Sequence, residues 1–126
     1  MRNEQLLRQI RPVLELDTRK SGPDEIFQNQ TLRPILKMQH ALLMAVFRHA
    51  IRKRYESFLK MPLPNRLEVI SNSIRSDLRL RNLMTGLVIG QFTLDEYEDF
   101  ITGEAEHSRR LADLLVQRIQ SDEASI

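Results

Sequence analysis

Glu104 and His107 stand three residues apart in GEAEHSRRL, which puts a carboxylate and an imidazole one turn apart on one helix face. Carboxylate-rich two-metal sites in helical bundles use that pair, but they need it twice, together with two further inward glutamates. Neither His40 nor His49 has a glutamate three residues before it. The ligand set is incomplete, and the Glu104/His107 pair reads as part of a solvated helix; no metal and no other cofactor is expected. His40 and His49 are nine residues apart, about 900° of helical rotation, so they fall on opposite faces and cannot share a ligand. Cysteine is absent, which removes disulfides, thiolate metal ligands and a cysteine nucleophile. No Ser/His/Asp arrangement can be assembled, and there is no glycine-rich phosphate loop. The sequence therefore points to no catalytic residue and reads as a non-enzyme.

Charge is the stronger signal. Residues 1–32 carry 5 basic and 5 acidic side chains, residues 33–90 carry 11 and 3, and residues 91–126 carry 3 and 9, giving net charges of 0, +8 and −6. The basic middle peaks in RHAIRKRYESFLK, where Arg48, Arg52, Lys53 and Arg54 form the candidate partner-binding set, with Lys60, Arg75, Arg79 and Arg81 nearby. Such a surface suits an acidic protein partner. It also suits nucleic-acid phosphates, with Tyr55 and Phe58 available to stack on bases. A third reading has these cations solvated or paired with the acidic carboxyl end. LMTGLVIGQFTLDEY has the outline of a helix-turn-helix, but its second helix would open with Asp95, Glu96, Glu98 and Asp99, which repel phosphates.

The elements that must position these residues are helical throughout. Apolar residues recur at helical spacing, strict alternation is never sustained, and only 4 glycines are available for turns. At 126 residues the chain is one domain with enough length for its own core. The longest signal starts at Thr31, read as an N-cap, and runs to Lys60 with a stripe of Leu32, Ile35, Leu36, Leu42, Leu43, Val46, Phe47, Ala50, Ile51 and Phe58. MPLP ends it; the helix would be about 42 Å long. In this register Pro34 sits in the first turn, where its missing N–H costs nothing, whereas Pro12 ends a short helix. The two surrounding stretches, IRPVLEL and LRPILKM, match over seven residues only and are not a duplicated module. After Pro64 an amphipathic run should break near Ser76 or Asp77, and Gly90 should close a helix. TLDE should open the next with a Thr93/Glu96 capping box, its stripe running through Leu94, Tyr97, Ile101, Leu111, Leu115 and Ile119.

The expected architecture is an all-α helical bundle of about five principal helices around one long central helix. It divides into a partly irregular amino-terminal segment at 1–30, a helical core at 31–121 and a frayed tail at 122–126. Gln39 interrupts the central stripe and needs a partner for its amide, on a neighbouring helix or in an oligomer. Met38, Ala41, Met44 and Ala45 add a second apolar face to the same helix, and a rod apolar over that much of its circumference predicts a homo-oligomer with those four residues at the interface. No stretch approaches the length needed to cross a bilayer, and the amino terminus lacks the apolar run of a secretory signal, so a cytoplasmic protein without membrane partners is expected.

The segments FQNQTLRPILKMQ, GLVIGQFTLDEY and LADLLVQRIQ resemble a small bacterial family of all-helical proteins of unknown function, some of which carry a glyoxalase label. The resemblance covers most of the chain and implies a helical domain. Glyoxalase I enzymes are built on βαβββ modules with histidine and glutamate ligands presented from strands. This sequence has three histidines and no strand pattern, so no functional residue is carried over.

Overall fold

The structure, a computed structural model, describes residues 2–14 and 22–126. Among these residues every regular element is helical and there is no strand. Helix α1 spans Glu4–Gln9; Asn3 caps it by accepting from the Leu6 amide at 3.1 Å, and Pro12 follows its end. A nearly continuous rod then runs through α2 (Pro23–Phe27), a π turn (Gln28–Leu32), α3 (Arg33–Met38) and α4 (His40–Arg54). α5 (Leu63–Ser76), α6 (Leu78–Ile89), α7 (Leu94–Thr102) and α8 (Glu104–Ser121) complete the bundle.

The rod differs from the single long helix expected at Thr31–Lys60 in three places. It begins earlier, so Thr31 is not a cap and Pro34 is not in a first turn. In a regular helix a proline at 34 would collide with the carbonyl of Gln30 and leave it without a donor. The π turn just before it widens the backbone, with the Arg33 N–H reaching back five residues to Gln28 O. At Gln39 the backbone turns to φ −90°, ψ 5°, which separates α3 from α4 without ending the rod. The Gln39 side chain donates to Leu87 O of α6 at 3.2 Å, so its amide bonds to a neighbouring helix. Finally α4 stops at Arg54, where Tyr55 is extended. A straight continuation would carry Phe58 about 10 Å beyond Ile51. The chain instead folds back, and Phe58 is buried.

The other boundaries follow local chemistry. Pro64 fits the first turn of α5. Asp77 is extended and its carboxylate accepts from the Leu80 amide at 3.2 Å, opening α6. The Thr93/Glu96 capping box is present in full at the start of α7. The core lies among α3, α4, α5, α6 and α8, where Ile35, Leu43, Phe47, Ile51, Ile70, Ile74, Met84, Leu111 and Leu115 are sealed from solvent. Phe27, Phe92 and Phe100 form an aromatic corner beside α7, with ring centroids 5.7 to 6.3 Å apart.

Apolar residues expected in the core are on the surface. Leu42 is exposed on α4. On α7, Leu94, Tyr97 and Ile101 are 69%, 44% and 42% exposed. Their stripe does not continue into α8, because Gly103 separates the helices and α7 buries Glu96 and Phe100 instead.

Candidate functional site

The residues with potential chemistry are held apart. His107 is buried between Phe27 and Phe100, with ring centroids 4.5 and 5.9 Å away. Its Nδ1 lies 3.0 Å from Phe100 O and must carry the proton, since a carbonyl only accepts. Nε2 is 3.1 Å from Asp24 Oδ1, without hydrogen-bond geometry. Glu104 is exposed, so the Glu-x-x-His pair does not converge. His40 pairs with Asp122 at 2.8 Å, and His49 is on an exposed face. Among the described residues no group of three or more His, Asp or Glu side chains is placed to hold a metal ion. A cavity of about 490 Å³ opens beside His107, Phe27, Thr31 and Asp99. With Nδ1 bonded to the backbone and Nε2 facing a carboxylate, the His107 imidazole packs into the aromatic corner.

The buried charge the sequence did not announce is Arg11. Its guanidinium meets the Glu96 carboxylate in a two-pronged pair at 2.6 and 2.8 Å, with side chains only 6% and 9% exposed. Arg11 also donates to Gln91 O. Thr31 Oγ1 donates to Glu96 Oε2 at 3.2 Å, and the Thr93 amide to Oε1 at 2.8 Å. Burial pushes the Glu96 carboxyl up, but the Arg11 guanidinium and the Thr93 amide outweigh it and hold the group below its ordinary value. Around this pair Arg2 donates to Gly90 O at 2.7 Å and Glu4 accepts from the Leu94 amide. The amino-terminal segment is thus fastened over the α6–α7 turn. The capping box accounts for Glu96 within TLDE, and nothing local to Arg11 marks a partner 85 residues away.

A groove between α4 and α6 joins residues from both sets of sequence candidates. It encloses about 520 Å³ and has an apolar floor of Ala45, Val46, Ala50, Leu80 and Leu83. Its rim carries His49, Lys53, Arg54 and Arg79 together with the carboxylate of Asp77. Arg54 is paired with Asp77 at 2.6 Å, which leaves Lys53 and Arg79 exposed without an ion pair among the described residues. Of the basic set, Lys53 and Arg54 line the groove, whereas Arg48 and Arg52 stand about 140° and 100° around the helix from Lys53. Arg48 donates to Ser125 O at 3.0 Å, and Arg52 is exposed. The four cations are therefore not one stripe.

The four residues expected at an interface are likewise dispersed. Met44 is 3% exposed and belongs to the core, because α6 and α8 cover the flank that helical periodicity left open. Met38 is half-buried beside the Gln39 bend; Ala41 and Ala45 are exposed, and Ala45 lines the groove. Other cations of the basic middle do meet the acidic end, through Arg66–Glu123 at 3.2 Å and Arg75–Asp113 at 2.9 Å. No helix among the described residues is long and apolar enough to cross a membrane. No protein-family model, no curated protein and no solved structure matches this chain.

Proposed function

We propose that this chain is a non-enzymatic protein-interaction module whose α4–α6 groove receives an acidic amphipathic helix. The observation that carries this reading is the groove itself, an apolar trough whose rim carries three cations, Lys53, Arg54 and Arg79, against one carboxylate, Asp77. Helix-in-groove recognition requires an apolar trough for the i, i+3, i+7 side chains and a rim complementary in charge to the flanks. From Ala45 to Arg54 the trough runs about 14 Å along α4, the length of a helix of some nine residues.

Fluorescence anisotropy with a labelled helical peptide carrying Leu and Ile at i, i+3 and i+7 and glutamates on its flanks tests the reading. Saturable binding is expected, weakened at least tenfold by Leu83→Asp together with Lys53→Glu. No binding at several hundred micromolar, or binding indifferent to those changes, refutes it. The nucleic-acid reading has lost Arg48 and Arg54 to contacts within the chain, and of its four cations keeps Arg52 and Lys53. A single-stranded oligonucleotide in the same assay decides between the two, since phosphate-driven binding falls steeply with salt. Tight, salt-sensitive oligonucleotide binding without peptide binding would replace the docking proposal.

A further inference from the structure

We infer that the occupant of the groove is helix α7 of a second copy of this chain, an inference that rests on the docking reading above. α7 has the sequence LDEYEDFIT and contains no basic residue. Its inward side is defined by Glu96 and Phe100, and its outward side presents Leu94, Tyr97 and Ile101. At 100° per residue these three fall within an arc of about 60°, a narrow apolar stripe at i, i+3 and i+7. Glu98 is exposed beside it, about 40° round from Leu94, whereas Asp95 and Asp99 are exposed farther round the helix, and among the described residues none of the three forms an ion pair.

Each feature of α7 has its counterpart in the groove. The stripe supplies three apolar side chains where the floor offers Ala45, Val46, Ala50, Leu80 and Leu83. Glu98 beside the stripe, on a helix with no basic residue, faces a rim on which Lys53 and Arg79 are exposed. At nine residues α7 is about 14 Å long, matching the trough. Tyrosine, the residue at 97, is among the types enriched at the anchoring positions of such contacts. The chain-wide asymmetry takes on a purpose here: a basic middle and an acidic end that only partly neutralise each other within one molecule remain available between molecules.

Groove and stripe are different surfaces, so each copy offers one donor helix and one acceptor trough. Such a contact is heterologous: it closes into a ring, or into a reciprocal pair if two copies satisfy each other, and otherwise propagates head to tail. One short helix in one trough buries an area in the weak class, below about 1,200 Å². Association is accordingly expected between tens and several hundred micromolar.

Sedimentation velocity over that concentration range tests the inference. The wild-type chain should gain mass with concentration. A groove-blind chain (Lys53→Glu with Leu83→Glu) and a helix-blind chain (Tyr97→Ala with Ile101→Lys) should each stay monomeric, because each retains only one half of the contact. Mixed together they should form one-to-one pairs and go no further, since the intact helix of the first fits the intact groove of the second. Failure of the mixture to pair, or self-association by the helix-blind chain, overturns the inference in favour of another contact. All four substitutions are at exposed positions, and circular dichroism of each variant verifies its fold. If either variant is misfolded, the wild-type series decides in its place. A wild-type chain monomeric throughout, with the glutamate-flanked peptide still bound, removes the second copy and leaves the docking reading standing; loss of both removes both.

Discussion

Arg11→Ala should cost about 3 kcal/mol, a figure that follows from what the substitution leaves behind. Removing one partner of a buried ion pair costs roughly 3–5 kcal/mol when the other charge is left alone. Glu96 is not wholly alone, because the Thr93 amide at 2.8 Å and the Thr31 hydroxyl at 3.2 Å remain. Those donors reduce the penalty to about 2 kcal/mol, and the abandoned Gln91 carbonyl adds about 1 kcal/mol. A domain of this length has a total stability of roughly 6–15 kcal/mol, so urea denaturation at pH 7 will resolve the change, and Tm should fall by about 10 °C. The pH dependence is the sharper test. In the wild type the depressed Glu96 carboxyl contributes stability that is present above its unfolded value and is lost as pH falls through its folded value. Without Arg11 burial dominates and the carboxyl moves up, so the variant is penalised at neutral pH and relieved as Glu96 takes a proton. The gap between the two proteins should therefore close on acidification below about pH 4. A loss under about 1 kcal/mol at pH 7, or a gap that persists undiminished at pH 3, would refute the argument that the pair holds the amino-terminal segment.

Two further outcomes follow from the same structure. Phe47 is fully buried, so Phe47→Ala should cost about 3–5 kcal/mol in urea denaturation, whereas Leu83→Asp at an exposed position of the groove should stay within about 0.5 kcal/mol. Hydrogen bonds from Arg109 and then Arg110 hold the Glu106 carboxyl down to about 2, so its side-chain carbon resonance should titrate near that pH, and Arg109→Ala together with Arg110→Ala should return the midpoint towards the usual carboxylate range.

What could be read from the chain in advance was local chemistry. Thr93 and Glu96 sit at capping-box spacing, Asp77 can cap the helix that follows it, and Pro12 bars a helix interior; each needs only its immediate neighbours, and each stands where expected. Helical periodicity also gave the all-α class. Periodicity could not say where a helix changes neighbours. Thr31 resembles a cap by residue type, but its hydroxyl is occupied by Glu96 from across the molecule. Leu94, Tyr97 and Ile101 share the spacing of a core stripe, yet the break at Gly103 frees α7 to turn a different face inward. Met44 looked surplus because a helix drawn alone does not show that α6 and α8 flank it. The groove was legible only in parts: Lys53 and Arg54 through their charge and Ala45 through its face, with Arg79, Leu80 and Leu83 arriving from a helix whose docking no local pattern encodes.

The π turn at Gln28–Leu32 reaches further than the proline it accommodates. Holding one residue more than the α turn it replaces, it puts a phase slip of about 100° into the rod, so that everything before it is rotated out of step with everything after. Asp24 and Phe27 are thereby swung to the His107 side while Ile35 and Leu36 keep to the interior, and one length of helix serves two sets of neighbours. Deleting a single residue from that turn would restore an even pitch at the expense of Asp24 and Phe27, which would be carried around the rod and away from the imidazole they now enclose.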